Sequence, residues 1–298
     1  MQTLTEIRDL LKQRGLRPKH RLGQNFLHDQ NKIRMLIDAA LAEHGRDARA
    51  TATCATDVVL EVGPGTGTLT EALLERGAEV IACELDPAMA DIIEERVKDR
   101  RFSLVRGDAL QKQRLLNSEI VAALAGRPFK LIANLPYNVA SPLITTLLIE
   151  HDECTGQFVT IQREVADRLM AAPGGKDYGP LSIIVQALAD VKRITTLPPS
   201  CFWPEPKVES AMIAMFPSPP GRGVRGEGVH DLQSAKSRNA FARFVTQLFT
   251  KRRKQLGTIF GRQRTDWPKG VTPNLRSEAL TVEQMINLWM ICTPKKSA

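Results

Sequence analysis

Val58-Val59-Leu60-Glu61-Val62-Gly63-Pro64-Gly65-Thr66-Gly67 is the stretch that decides the fold of this 298-residue chain. Its first five residues are a short, β-branched and apolar run suited to a buried strand, and three glycines follow at alternate positions before the helical stretch 69–76. A glycine turn between strand and helix lets the backbone bend tightly and lets a ligand come close to it. The dinucleotide fingerprint is G-x-G-x-x-G, whereas the spacing here is G-x-G-x-G, with Pro64 inside the turn and Glu61 two residues ahead of it. That variant suits a nucleoside better than a pyrophosphate, because no phosphate is offered to the helix N-terminus. Taken alone, the turn is weak evidence, and a purely structural role stays open beside the ligand-binding one.

Working outward, 79–83 reads as a second strand and 87–98 as a helix with proline at an early position. Further strands are expected at 102–106, 129–133 and 158–161. Strands alternating with helices predict an α/β fold with βαβ units, a mostly parallel sheet, and ligands beyond the C-terminal ends of its strands. The runs 191–197 and 211–216 have no helix between them and suit an antiparallel hairpin at the sheet edge. Residues 217–229 have the Pro/Gly composition of a linker. Beyond them Phe241, Phe244, Val245, Leu248 and Phe249 recur at helical spacing, and with 282–291 they predict a small all-helical domain. Thr3-x-x-Glu6 is a capping box ahead of the helically spaced Leu4, Ile7, Leu10 and Leu11. The expected division is a basic N-terminal segment, 1–34, packed on an α/β domain, 35–216, followed by a linker, 217–235, and a small helical domain, 236–298.

The net charge of +8 is unevenly placed. Residues 1–34 hold eight Lys/Arg and three acids; residues 236–265 hold nine Lys/Arg and no acid; the remainder is net −6. Two basic segments on a mildly acidic body are the distribution of a protein that grips a polyanion at chosen places, although solvated basic helices give the same count. The composition is globular, and no apolar run approaches the ~20 residues of a membrane-spanning helix. The five cysteines form no C-x-x-C pair and no His-rich cluster, which predicts reduced thiols in a cytoplasmic protein without a metal site. The basic start could pass for a transit peptide, but it carries Glu6 and Asp9 and runs directly into a motif taken up below.

Three successive strand ends carry groups suited to a nucleoside. Gly63 opens the turn after the first strand; Glu84, twenty-one residues later, ends the second, where a carboxylate can accept both ribose hydroxyls; Asp108 ends the third, where a carboxylate can accept from an adenine amino group. Together they resemble the S-adenosylmethionine pocket of class I methyltransferases. The fourth strand ends in Asn134-Leu135-Pro136-Tyr137. An exocyclic adenine amine is a poor nucleophile because its lone pair is delocalised into the ring. The Asn134 side-chain oxygen and a nearby backbone carbonyl can accept its two N–H bonds and aim the lone pair at a sulfonium methyl, while Pro136 stiffens the turn and Tyr137 offers a stacking face. Positioning then supplies most of the catalysis.

Arg21-Leu22-Gly23-Gln24-Asn25-Phe26-Leu27, the 61–67 turn, Asn134-Leu135-Pro136-Tyr137-Asn138, the segments 162–169 and 178–182, and Phe202-Trp203-Pro204-Glu205-Pro206-Lys207-Val208 occur in order along the chain. In these motifs the sequence resembles the ribosomal RNA adenine dimethyltransferases, and among them the small-subunit enzymes. The resemblance implies a Rossmann-like class I methyltransferase sheet. It also implies S-adenosylmethionine as donor, and as substrate two adjacent adenines in a hairpin near the 3′ end of 16S rRNA in the 30S particle, each dimethylated at N6 by a monomeric enzyme. By the same resemblance Asn25 and Leu27 join Gly63, Glu84, Asp108 and Asn134 around the donor. Asn134, Leu135, Pro136 and Tyr137 hold the base, and Phe202 forms a second aromatic wall. Lys251, Arg252, Arg253 and Lys254, with Lys19, His20 and Arg21 from the other end of the chain, are then expected on RNA phosphates. The segment 46–56 reads as a surface loop.

Two other enzyme readings and one non-catalytic reading compete. Methyltransferases of the macrolide-resistance type act on 23S rRNA, but the 178–181 and 202–208 segments favour the small-subunit type. DNA adenine methyltransferases would carry proline in place of Leu135. A non-catalytic assembly or transcription factor on the same fold does not need the intact set Glu84, Asp108 and Asn134.

Overall fold

The computed structural model describes residues 1–41, 57–112, 114–218 and 232–293. The expected surface loop 46–56 and most of the expected linker 217–235 lie outside the described residues.

Seven strands form the central sheet: β1 (Val58–Val62), β2 (Glu79–Glu84), β3 (Phe102–Arg106), β4 (Phe129–Asn134), β5 (Cys154–Gln162), β6 (Ala189–Leu197) and β7 (Ser210–Pro217), in the order β3-β2-β1-β4-β5-β7-β6. The first five are mutually parallel and β7 runs antiparallel to β5, from Ser210 opposite Gln162 to Met215 opposite Gln157. This is the expected α/β architecture with an antiparallel edge. β1 is buried along its whole length, as parallel strands covered by helices on both faces must be. Strand order reverses between β1 and β4, which opens a crevice at their C-terminal ends. The segment between β6 and β7 is longer than a hairpin turn. It contains the two-residue strand Phe202–Trp203, which leaves the main sheet to pair antiparallel with Phe26–Leu27.

The helices are α1 (Leu4–Gln13), α2 (Gln30–Leu41), α3 (Thr68–Glu75), α4 (Pro87–Arg96), α5 (Ser118–Leu124), α6 (Ala140–Glu150), α7 (Arg163–Leu169), α8 (Pro180–Leu188), α9 (Ala235–Thr250), α10 (Leu256–Phe260) and α11 (Val282–Cys292). α1 starts at the predicted capping box, with the Thr3 hydroxyl accepting from Glu6 N–H and the Glu6 carboxylate accepting from Thr3 N–H. Its apolar face buries Ile7 and Leu11 against Phe26, Met89 and Ile92.

Two compact units divide the chain. One comprises residues 1–147, 152–166 and 192–216 and holds the sheet with its crevice. The other comprises 148–151, 167–191 and 217–298 and is helical. The expected division places residues 167–191 in the domain 35–216. They cluster with the C-terminal helices because Tyr178, fully buried, donates its hydroxyl to the Leu280 carbonyl at 2.8 Å and Gly174 N–H reaches the Glu278 carbonyl at 2.8 Å. In the same unit Phe241 meets Trp289 edge to face at 5.5 Å, so the predicted Phe stripe of α9 does face a core. No described helix is long and apolar enough to cross a membrane.

Candidate active site

A cavity of about 440 Å³ opens at the C-terminal ends of β1 to β4, and Asn25, Leu27, Gly63, Glu84, Asp108, Asn134 and Pro136 all line it. The structure therefore brings together every residue expected around a donor.

The glycine turn forms the floor. Gly63 and Gly65 have φ of +75° and +58°, left-handed values that a side chain disfavours. Space is equally restrictive: a Cβ on Gly63 would lie 3.1 Å from the Pro136 ring, and one on Gly65 2.9 Å from the Phe26 ring. The floor, the Asn134–Tyr137 turn and the Gly23–Leu27 segment thus meet at van der Waals distance.

Glu84 is held rigidly at the end of β2. One carboxylate oxygen accepts Asp86 N–H at 2.8 Å and the other accepts Gly65 N–H at 3.1 Å, which leaves each oxygen a lone pair for a ligand hydroxyl. Burial pushes its pKa up, and the backbone donors of Asp86 and Gly65 pull against that shift. Glu61, also buried, accepts the Thr70 hydroxyl at 2.6 Å; desolvation pushes its carboxyl up to about 8, with the nearby Glu84 adding to the rise. Asp108 accepts Leu110 N–H at 3.0 Å beside the wall residues Leu85 and Ala109. Leu85 is 48% exposed, an apolar face open to the cavity.

Asn134 donates its side-chain amide to the Asn25 carbonyl at 2.9 Å. That bond fixes which end of the amide is nitrogen and leaves Oδ1 as the acceptor. Leu135 is buried, and its N–H donates to the Thr160 carbonyl at 3.1 Å, which ties the turn to β5.

Four expected residues have partners that the sequence does not show. Tyr137 is half-buried, outside the cavity lining, with its hydroxyl 3.3 Å from Ser210 Oγ and its pKa raised by burial. Phe202 does not form a cavity wall: it is 2% exposed, because its pairing with Leu27 turns it into the apolar core alongside Leu197 and Cys201. Lys19 is not free for phosphate; its ammonium lies 2.7 Å from the buried Asp86 carboxylate, whose other oxygen accepts Gln24 Nε2 at 2.8 Å. His20 and Arg21 are exposed. In the basic run Lys251, Arg253 and Lys254 are exposed, whereas Arg252 pairs with Glu278.

Sequence reasoning assigned no role to Glu61, Gln24, Leu85 or Asp86. Gln24 stands inside the quoted Arg21–Leu27 motif, and for Asp86 the signal available was a carboxylate just before a proline at a helix start, the N-cap position that it fills for α4.

The parallel sheet, its reversal point and the acid-lined, glycine-floored crevice define a class I methyltransferase. A model of the ribosomal RNA adenine dimethylase family matches residues 15–293, and the chain belongs to that family. It is accordingly an S-adenosylmethionine-dependent rRNA adenine dimethyltransferase. Curated relatives include "Ribosomal RNA small subunit methyltransferase A" of Mycobacterium sp. (strain KMS), 35% identical over 300 residues that cover 95% of this chain and 92% of that protein. The protein of the same name from Mycobacterium bovis (strain BCG / Pasteur 1173P2) is 39% identical over 213 residues, 70% of this chain and 62% of that one. Among solved structures, a dimethyladenosine transferase from Plasmodium falciparum superposes with a TM-score of 0.63 at 22% identity, covering 88% of this chain and 95% of that one. The 23S rRNA methyltransferase ErmE gives a TM-score of 0.57 at 20% identity, over 89% and 98%; both share the fold.

Proposed function

We propose that this enzyme dimethylates N6 of two adjacent adenines in a hairpin near the 3′ end of 16S rRNA, on the 30S particle in the cytoplasm, working as a monomer. The observation that carries the reading is the convergence of Gly63, Glu84, Asp108 and Asn134 on one cavity beneath the Gly23–Leu27 segment. The small-subunit name of the relatives supports the choice of 16S over 23S rRNA.

The donor set fits S-adenosylmethionine. Glu84 and Asp108 line the cavity against one cation among the described residues, Arg114, which suits a sulfonium-bearing nucleoside and repels a pyrophosphate. In this proposal Glu84 accepts the ribose hydroxyls, Asp108 the adenine amino group, and Leu85 meets the adenine face. Asn25, Leu27 and Gly63 border the methionine end. When bound, the donor supplies a methyl group on a positively charged sulfur.

The chain's own residues position the acceptor. Asn134 Oδ1 and the Leu135 carbonyl accept the two N–H bonds of the target amine, draw its nitrogen out of the ring plane and expose its lone pair. Asn25 keeps Asn134 in that orientation, and Pro136, packed on Gly63, keeps the turn rigid. Tyr137, half-buried, offers a ring face for the extruded base. No strong base is needed, since the alkylated amine is acidic and releases its proton afterwards. Residues 1–34 brace the catalytic domain, and the helices from 236 onward hold RNA.

Incubating 30S particles with enzyme and S-adenosylmethionine, then analysing 16S rRNA nucleosides by mass spectrometry, tests substrate and product together. The expected product is N6,N6-dimethyladenosine. Methyl transfer confined to 23S fragments would refute the assignment.

A further inference from the structure

Asn25, whose carbonyl fixes the orientation of Asn134, is held through both of its chain neighbours. Phe26 on one side is buried and shares an apolar cluster with Met89 and Ile92 of α4. Gln24 on the other donates Nε2 to Asp86 Oδ2 at 2.8 Å, and Asp86 caps the same helix. Gln24 is not free to turn over: its Oε1 accepts Lys19 N–H at 2.8 Å, so Nε2 is the end that faces Asp86. Gly23, with φ of +67°, brings this segment against the catalytic turn, where a Cβ would lie 3.4 Å from Tyr137 N.

Asp86 does more than start a helix. Capping α4 takes Oδ1 alone, which accepts Ala88 N–H at 3.2 Å, and Ser or Asn would cap as well. The side chain is wholly buried, where a carboxylate is costly. It accepts Lys19 Nζ on Oδ1 at 2.7 Å and Gln24 Nε2 on Oδ2. Only a carboxylate offers acceptors in both directions at once, since an amide would set its own N–H bonds against those of Gln24. The Asp86 N–H donates in turn to Glu84 Oε1 at 2.8 Å. One chain of contacts therefore runs from the donor-site acid Glu84 through Asp86, Gln24 and the Asn25 carbonyl to the amide of Asn134.

We propose that Asp86 and Gln24 are positioning residues for methyl transfer. They set the place of the Asn25 carbonyl and, through it, the direction in which Asn134 Oδ1 meets the target amine, a role that rests on the reading of Asn134 given above. Glu84 is bound by backbone N–H groups, not by the side chains of this pair. Loosening the pair therefore turns Asn134 and leaves the donor acids in place, so the effect falls on the rate of transfer and not on binding.

The test exchanges donor and acceptor across the Asp86–Gln24 contact. Asp86→Asn keeps an oxygen for Ala88 N–H and Lys19 but sets an N–H against Gln24 Nε2; Gln24→Glu sets a second carboxylate against Asp86. Each single variant should slow single-turnover methylation about ten- to a hundred-fold, the cost of a misplaced catalytic group. Affinities for S-adenosylhomocysteine and RNA should stay near parental, with rates taken below each variant's melting transition. The double variant restores a donor facing an acceptor and keeps one negative charge beside Lys19, so it should recover most of the lost rate. Singles at the parental rate, donor affinity falling in step with rate, or a double variant no faster than the slower single would each overturn the proposal. Asn134→Ala is run alongside on whichever RNA the parent methylates. Parental speed in Asn134→Ala would defeat the reading of Asn134, whereas a slow Asn134→Ala beside fast Asp86→Asn and Gln24→Glu would defeat the positioning role alone.

Discussion

The side-chain amide of Asn134 donates to the backbone carbonyl of Asn25 at 2.9 Å, joining residues 109 positions apart. The bond makes the N-terminal motif part of the catalytic turn: it commits the nitrogen of Asn134 to the protein and its oxygen to the ligand. Asn134→Ala should lower kcat by about two to three orders of magnitude, the cost of a lost preorganised acceptor, with 30S binding nearly unchanged. Asn134→Asp separates the two functions, since it keeps an acceptor but cannot donate to Asn25 and sets a charge against that carbonyl. It should also lose activity, and single-turnover rates beside binding curves check both. An equal fall in binding would make Asn134 a structural residue.

Glu84 links pH to donor affinity. Its carboxyl is raised by burial, and only the ionised form can accept from both ribose hydroxyls. Affinity for S-adenosylhomocysteine should therefore weaken as pH falls through that raised value. Glu84→Gln should bind about ten- to a hundred-fold more weakly, the worth of hydrogen bonds to a charged acceptor, and should lose the pH dependence. Calorimetric titration across pH decides this.

Glu61 governs stability in the opposite sense to a paired surface acid. Buried and pushed up to about 8 from an ordinary 4.5, it keeps a proton in the folded state that the unfolded chain has released. Across that window folding takes up a proton, so this group's contribution is complete at low pH and declines as pH rises. Glu61→Gln keeps an acceptor for the Thr70 hydroxyl and cannot ionise. The melting temperature of the parent should fall relative to that of the variant between about pH 5 and 8.

Gly65 combines a φ of +58° with a Cβ position 2.9 Å from the Phe26 ring. Gly65→Ala should cost about 1–2 kcal/mol for the left-handed backbone alone, and the displaced Phe26 should weaken donor binding further. Denaturant melts and S-adenosylhomocysteine titration measure the two effects. Gly77→Ala, where φ is +90° but no atom lies within 4 Å, should show only the backbone cost.

The strand ends were legible because a five-residue apolar run followed by a glycine or an acid is local information. Glu84, Asp108 and Asn134 lie where the period and the turn residues place them. What was not legible depended on partners distant in sequence. The resemblance makes Phe202 an aromatic wall, a core Phe before a proline turn fits the same residues, and only its pairing with Leu27 shows it buried. Residues 167–191 continue the catalytic domain by composition, whereas Tyr178 anchors them to Leu280. A count of charges along the chain likewise cannot distinguish a cation that faces solvent from one that answers a buried acid.

That distinction separates Lys19 from the C-terminal run. Lys19 faces Asp86, whose carboxyl side chain is wholly buried and is held below the usual range against its desolvation by Lys19 and Gln24. Lys19→Ala should therefore behave as a stability variant. It should cost about 1–2 kcal/mol, less than a fully buried pair because Lys19 is partly exposed, and the loss should be largest where Asp86 is ionised. It should leave the salt slope of RNA binding at the parental value. Neutralising Lys251, Arg253 and Lys254 together should do the reverse, with melting unchanged and a slope lower by about 2.1–2.7. Neutralising Arg252 as well should bring in a stability loss, because its removal strands Glu278. If Lys19→Ala shifted the salt slope by a full contact while the melting curve stayed put, the Asp86 pair would open in solution and Lys19 would belong with the phosphate-binding cations.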